Sequence, residues 1–380
     1  MSTAAITSPT RGATARSEPP TVGRKRLVKG NEALALGAVA GGADCFFGYP
    51  ITPQNEIPEI LSGLMPKLGR VFLQAESEVA SINMVYGAAA AGHRAVTSSS
   101  SPGISLMLEG LSYIAGARLP CVIINVQRGG PGLGNIAPSQ GDYFQACKGG
   151  GHGDYHSIVL APWNVQESFE FTKTAFDLAD RYRMPVFILS DAVLGSMLEP
   201  AVVPDEFPPV ERPDKDSWAA CGRGRRLHKN VVNSLFLRPE DLAAHNDTLQ
   251  ATYAAARREI RFDSRFLEDA ETVIVAFGVA ARVAYTAVTM LRREGVKVGL
   301  LRPVTLYPFP TEPLVAASST AKRFLVFELN AGQMVEDVRL AVNGRRPVSF
   351  YGRMGGIVPP PEELADHIVA MATGEDGGAS

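Results

Sequence analysis

Three short apolar runs early in the chain most restrict what it can fold into, because each ends abruptly in a turn that carries a reactive group. Residues 45–49 lead into Pro50-Ile51-Thr52-Pro53, residues 71–73 into Glu76-Ser77-Glu78, and residues 121–126 into Arg128 and the glycine-rich 129–134. Uninterrupted apolar runs bounded by turn signals are what strands buried on both faces look like. Helix-length stretches separate them, so the pattern predicts βαβ units and a parallel sheet. Ligands of open parallel sheets lie outside the carboxyl ends of the strands. A hydroxyl at Thr52, a carboxylate at Glu78 and a guanidinium at Arg128 are therefore expected around one crevice.

The same reading extends along the chain. It predicts a helix over 31–42 capped by Asn31 and a second helix opened by Thr52-Pro53 and reaching Leu64. A strand over 71–74, a helix over 78–92, a strand over 94–97, a loop over 98–103, a helix over 104–116 and a strand over 121–126 follow. After a glycine-rich segment, 129–153, come a helix over 165–181 and a strand over 185–189. Residues 195–269 are irregular and proline-rich, with a basic patch at 223–229 and one helix over 239–260. A second alternation begins at Thr272, with strands over 273–277, 297–301, 323–327 and 348–351. The expected organisation is a tail (1–26), a first α/β domain (27–195), a linker and cover (196–269) and a second α/β domain (270–380).

Composition removes several classes of function. The 37 Lys and Arg nearly balance the 39 Asp and Glu, for a net charge of −2, so no basic field exists for nucleic acid. No apolar run approaches the roughly 20 residues that cross a bilayer. Cys45, Cys121, Cys147 and Cys221 are scattered without a C-x-x-C pair, which argues against an iron–sulfur cluster or a structural zinc in this chain. The reading is a reduced, cytoplasmic protein with no metal site of its own. Residues 1–26 have the hydroxyl-rich, acid-poor composition of a transit peptide, but Pro9, Pro19 and Pro20 interrupt any continuous amphipathic helix and favour a disordered tail.

Each candidate group has a plainer role to set beside the functional one. Thr52 is either an anion site at a helix start or only a cap, and Tyr49 beside it either faces a ligand or packs inside. Glu78 either complements the helix dipole or bonds a nitrogen heterocycle, with Glu76 as the competing carboxylate. Arg128 either grips a carboxylate or phosphate through paired bonds or holds loop carbonyls. The glycine-rich 129–134 matches neither phosphate-binding glycine pattern. Residues 148–156 carry two imidazoles that could serve a metal loop, although backbone demands explain such glycines equally well. The serine run 98–101 lacks the G-x-S-x-G elbow of a hydrolase.

Taken in order, these segments resemble the α subunit of multisubunit 2-oxoacid:ferredoxin oxidoreductases. The branched-chain (3-methyl-2-oxobutanoate) type is most similar and the 2-oxoglutarate type next. The resemblance runs from about Lys29 to the end. It rests on Gly48-Tyr49-Pro50-Ile51-Thr52-Pro53, Glu76-Ser77-Glu78, residues 97–103, Gln127-Arg128-Gly129-Gly130-Pro131, residues 300–310 and Glu328-Leu329-Asn330-Ala331-Gly332-Gln333. It implies a thiamine-enzyme pyrimidine-binding domain, a parallel sheet flanked by helices, followed by a transketolase C-terminal-like α/β domain.

It also implies thiamine diphosphate as cofactor, shared with a β subunit, and CoA-dependent oxidative decarboxylation of a 2-oxo acid. By the match, Glu78 bonds the aminopyrimidine and favours removal of the thiazolium proton. Tyr49, Pro50, Ile51, Ser101 and Pro102 border the cofactor, and Thr52, Arg128 and Gly129 hold the substrate. The Gly-Asp-Gly diphosphate motif and cluster cysteines are missing here. Mg2+ and 4Fe-4S clusters are therefore expected on partner subunits: β, γ and an optional ferredoxin-like subunit, with ferredoxin or another carrier as acceptor. The rivals are 2-oxoglutarate or an aryl or indole pyruvate as substrate, and a non-catalytic scaffold that keeps only the fold.

Overall fold

The computed structural model describes residues 23–224 and 226–373. Its first elements are β1 (Arg24–Lys29), α1 (Gly30–Ala40), β2 (Cys45–Gly48), α2 (Glu56–Leu64), β3 (Val71–Gln74), α3 (Glu78–Ala90), β4 (Ala95–Ser99) and α4 (Ser101–Gly116). Next are β5 (Cys121–Gln127), α5 (Tyr143–Cys147), β6 (Ile158–Leu160), α6 (Val165–Tyr182), β7 (Pro185–Asp191), α7 (Ala192–Ser196) and β8 (Leu198–Val203). Then come α8 (Pro239–Ala256), β9 (Phe262–Arg265), β10 (Thr272–Val275), α9 (Gly278–Arg293), β11 (Val298–Pro303) and β12 (Thr305–Tyr307). The last are α10 (Thr311–Ala317), β13 (Arg323–Glu328), α11 (Met334–Val342), β14 (Val348–Gly352) and α12 (Pro361–Thr373).

The first alternation forms a seven-stranded sheet in the order β12-β6-β7-β5-β4-β2-β3. Its pairs are parallel except where β12 meets β6. Strand β5 is buried along its whole length and its side chains alternate between two layers. Val122, Ile124 and Val126 pack with Leu34 and Leu61 from α1 and α2 and Phe176 from α6. Cys121 and Ile123 pack with Ile82 of α3 and Ile104 and Leu111 of α4 on the other face. Each such aliphatic side chain contributes about 1.5–3 kcal/mol by leaving water. That two-sided burial is why the strand reads as a continuous apolar run.

The second sheet has the order β14-β13-β10-β11-β9, parallel except for β9. Helices α9 and α12 cover one face. The other face shares the first sheet's core, where Phe324, Val326 and Met334 belong to the same cluster as Ile82 and Ile104. Each sheet also borrows an antiparallel edge strand from outside its own alternation. β12 leaves the second alternation to pair with β6, while β9, within the expected linker, pairs with β11. The expected boundary near residue 270 is therefore crossed in both directions.

Two further expectations change. The tail lies outside the described residues up to position 22, but residues 24–26 already belong to β1, which pairs with β8 from Arg24↔Val203 to Lys29↔Leu198. The proline-rich span after β8 is also tied down. Arg212 bonds Asp44 at 2.7 Å, and Lys215 meets Asp180 at 2.6 Å, beside the buried Arg94–Asp180 pair. No helix among the described residues is long and apolar enough to cross a membrane.

Candidate active site

The loop after β2 is shaped by two buried amides. Asn31, expected as a helix cap, is instead inside α1, and its Nδ2 donates to Pro53 O and to Glu56 Oε2, both at 2.8 Å. Gln54 is fully buried, donates to Tyr49 O at 3.3 Å and accepts from Ser98 Oγ at 2.5 Å. Thr52 is not the cap expected from Thr-Pro, because α2 starts four residues later at Glu56. The carbonyls that a helix from Thr52 would need are taken by other donors: Ile51 O by Gln54 N, Thr52 O by Arg128 and Pro53 O by Asn31. The Thr52 hydroxyl accepts from Asn55 Nδ2 at 3.2 Å, which leaves its own proton available. Tyr49 is exposed, so the packing role considered for it falls away.

Glu78 sits on the first turn of α3 because Ser77 caps that helix, accepting from Ala80 N at 3.1 Å. Its side chain is 6% exposed, and among the described residues its carboxylate has no hydrogen-bond partner. Glu76 points to solvent, which removes it as a competitor. The first turn of α4 closes over Glu78. A Cβ on Gly103 would stand 2.5 Å from Glu78 Oε1 and 2.1 Å from Ser99 Oγ, so only glycine fits there. Ser99 Oγ is itself buried without a partner. The expected loop over 98–103 is therefore the end of β4 and the start of α4, with Pro102 in the first turn, where its missing N–H costs nothing.

Arg128 follows the last residue of β5 and is 7% exposed. It donates through Nη1 to Thr52 O at 2.9 Å and through Nη2 to Leu133 O at 3.0 Å, while its buried Nε has no partner. Guanidinium carries five N–H groups, so two loop carbonyls do not exhaust it. The loop beyond folds back on itself, with Asn135 N donating to Gly129 O at 3.0 Å. Gly134 is required at that turn: its φ is +57° and a Cβ would lie 1.7 Å from Gly129 O.

Ser101, Pro102, Arg128 and Gly129 line a cavity of about 430 Å³ between the two domains. Thr52 meets it only through its bond to Arg128, and Glu78 lies behind the turn that carries Ser101 and Pro102. The opposite wall is the β13–α11 turn, including Leu329, Asn330, Ala331 and Gln333. Gln140 joins the domains there: its Nε2 donates to Phe277 O at 2.8 Å, its Oε1 accepts from Leu329 N at 3.0 Å, and its main-chain N donates to Leu329 O at 3.0 Å. Glu328, at the end of β13, is fully buried and accepts from Asn330 Nδ2, Gln333 N, Met334 N and Val335 N at 2.8–3.2 Å.

Asp142, another residue of this cavity, escaped the sequence reading. Its Oδ2 accepts from Ser101 Oγ at 2.6 Å and from Asn125 Nδ2 at 2.8 Å. Burial pushes its carboxyl above the usual range, against those two bonds. An acid before Tyr143-Phe144 was readable as an ordinary helix start, yet its side chain does not cap α5. In the segment 148–156, His156 stacks on Tyr307 with ring centres 4.2 Å apart, and His152 meets Tyr113 edge-on. Among the described residues no group of His, Cys, Asp or Glu is placed to hold a metal ion.

Residues 36–262 match the family described as "Pyruvate flavodoxin/ferredoxin oxidoreductase, thiamine diP-bdg", and residues 270–364 match "Pyruvate:ferredoxin oxidoreductase core domain II". The chain is 53% identical over 348 residues to ketoisovalerate oxidoreductase subunit VorB of Methanothermobacter thermautotrophicus, covering 91% of this chain and 98% of that protein. It is 35% identical over 383 residues to 2-oxoglutarate synthase subunit KorA of the same organism, with coverages of 91% and 98%. Among solved structures, the 2-oxoglutarate:ferredoxin oxidoreductase from Magnetococcus marinus with 2-oxoglutarate, coenzyme A and succinyl-CoA bound matches with a TM-score of 0.80 and 28% identity. That match covers 91% of this chain and 65% of the other. A split gene transketolase, 14% identical with a TM-score of 0.57, shares the fold. The chain belongs to the 2-oxoacid:ferredoxin oxidoreductases, as an α subunit with their thiamine diphosphate-binding domain.

Proposed function

We propose that this α subunit serves CoA-dependent oxidative decarboxylation of a branched-chain 2-oxo acid, 3-methyl-2-oxobutanoate being the reference substrate. One observation carries the substrate choice. Arg128 is the single cation among the described residues lining the cavity, and Pro102, Pro131, Leu329, Ala331 and Met354 supply apolar wall. One guanidinium matches one carboxylate, and a branched alkyl chain can rest against the apolar side. The distal carboxylate of 2-oxoglutarate would be buried there without a partner, which costs several kcal/mol. The 53% identity to a ketoisovalerate oxidoreductase subunit, against 35% to a 2-oxoglutarate synthase subunit, points the same way.

The residues present fit thiamine diphosphate on its pyrimidine side. Glu78 is a buried carboxylate with no internal donor, as a group that bonds a ring nitrogen must be. Bound there, the cofactor supplies a carbon nucleophile and an electron sink. Glu78 holds the proton shared with the ring nitrogen, in a recess whose shape Gly103 keeps open. Thr52 offers its free O–H to an oxygen of the substrate, and Arg128 offers its remaining N–H groups to the carboxylate. Tyr49, Pro50, Ile51, Ser101 and Pro102 border the cofactor, and Gly129 brings backbone close to the substrate. A β subunit holds the diphosphate with Mg2+, and partner subunits (β, γ and an optional ferredoxin-like one) carry the 4Fe-4S clusters that pass electrons to ferredoxin or another acceptor. CoA enters as co-substrate, and the assembly works in the cytoplasm.

The test is CoA-dependent reduction of a viologen dye by the complex purified anaerobically with its partners. 3-Methyl-2-oxobutanoate should be preferred over 2-oxoglutarate, pyruvate and phenylpyruvate. Preference for 2-oxoglutarate would overturn the substrate reading. No reduction by any of the four, with thiamine diphosphate and clusters in place, would leave a scaffold. Arg128→Ala should raise KM roughly 10- to 100-fold, the equivalent of one charged hydrogen-bonded contact.

A further inference from the structure

The substrate clamp sits on an unusually soft base. Arg128 leads a loop with glycine at 129, 130, 132 and 134, so rotation about its main chain is restrained by few side chains. One restraint is specific: Arg128 N donates to Ser101 Oγ at 3.0 Å. A serine hydroxyl accepts there only while its own proton points elsewhere. Asp142 Oδ2, 2.6 Å away, takes that proton. Without it the hydroxyl would turn toward Arg128 O, which lies 3.3 Å from the same oxygen.

The arrangement closes into a ring. Asn125 of β5 donates through Nδ2 to Asp142 and accepts through Oδ1 from Ser101 N at 3.2 Å. Asp142 thus fixes both the hydroxyl of Ser101 and the amide orientation of Asn125. The ring joins β5, from whose end Arg128 projects, to the first turn of α4 and the segment leading into α5. Asn125 is fully buried, so no water can easily replace a lost partner. Asp142 Oδ2 serves both donors as a simple acceptor, a job an amide oxygen in the same place can perform.

We propose that Asp142 is a positioning residue for Arg128, acting as a hydrogen-bond acceptor through Ser101 rather than as a charge, an inference that rests on Arg128 being the carboxylate clamp. Removal of the acceptor lets the base of the loop drift, and the clamp loses register with the substrate carboxylate. Chemistry at Glu78 is untouched, so the loss falls on KM.

The experiment compares Asp142→Ala, Asp142→Asn, Asn125→Ala and Arg128→Ala in the anaerobic complex, with 3-methyl-2-oxobutanoate as substrate. Asp142→Ala should raise KM about 10-fold while kcat stays within about 3-fold, as for a lost binding contact. Asp142→Asn should restore KM to within about 3-fold of the parent because it keeps the acceptor. An unchanged KM in Asp142→Ala beside a raised KM in Arg128→Ala would overturn the positioning role and leave the clamp standing. Equal defects in Asp142→Asn and Asp142→Ala would overturn the acceptor role in favour of charge. An unchanged KM in Arg128→Ala would instead remove the clamp reading itself. Should Asp142→Ala fail to assemble, Asn125→Ala decides, since it removes the donor that holds Asp142 Oδ2 and the acceptor of Ser101 N: it must raise KM while kcat stays within about 3-fold, and a parental KM would overturn the proposal.

Discussion

Glu78 and Glu328 are both buried carboxylates placed between a strand and the helix that follows it, and they are opposites in every other respect. Glu328 ends β13 and is surrounded by donors, three main-chain amides at the start of α11 and the side chain of Asn330. Burial still pushes its carboxyl up, with those bonds pulling the other way. Glu78 starts α3 and has no donor at all among the described residues. A carboxylate with every bond made inside the protein is part of the fold. One that lies in a crevice with none made inside the protein, as at Glu78, keeps its acceptor positions open to a ligand, which is the role proposed for it. The comparison separates the two motifs, Glu76-Ser77-Glu78 and Glu328-Leu329-Asn330, that look equally promising as sequence.

The largest effect should come from Glu78→Gln. Loss of the proton-holding group should lower kcat by 10²- to 10⁴-fold, the usual range for a positioned acid or base, with little change in thermal unfolding. Dye reduction and a melting curve on the same preparation check both halves. Near-parental turnover would end the assignment and, with it, the contrast.

Glu328→Ala should invert the pattern. It strands the three amides and the Asn330 side chain, and each buried group left unpaired costs on the order of 1–3 kcal/mol. A clear drop in Tm is expected. If Glu328→Ala melted like the parent, burial and bonding would not be what distinguishes the two glutamates.

How far the sequence alone could go follows from which links are local. Strand β5 and its terminal Arg128 were legible because two-sided burial writes itself as an apolar run. Glu78 was legible because it is the lone charge on an otherwise small and apolar helix. The misreadings lie where distant donors override local preference. Thr52-Pro53 has the composition of a helix start, but Asn31 and Arg128 claim its carbonyls. The stretch 98–103 reads as a loop because serine, proline and glycine favour turns, whereas in the fold it is the buried end of β4 and the start of α4. Asp142 lies in a stretch with no periodicity, and its role exists only once Ser101 and Asn125 are beside it. Strands β9 and β12 escaped because each is short and pairs with a sheet outside its own segment, β9 from the linker with β11 and β12 from the second alternation with β6.

Asp191 extends the comparison to an intermediate case and the smallest effect. It is buried, and accepts from Val193 N at 2.9 Å and Leu194 N at 3.0 Å. Burial nonetheless raises its carboxyl from 3.8 to about 6, opposed by those amides, by Val279 N and by the nearby Arg282. An acid whose folded value lies above its unfolded one binds its proton more tightly in the native state. It therefore adds stability below about 3.8 that is lost as pH climbs through about 6. Asp191→Asn removes this titration. The melting temperature of the variant relative to the parent should rise between pH 4 and pH 7 and level off above that range. A pH-independent difference would mean that the amides alone, as at Glu328, had already satisfied the charge, and that Asp191 belongs with the fully bonded carboxylates rather than between them and Glu78.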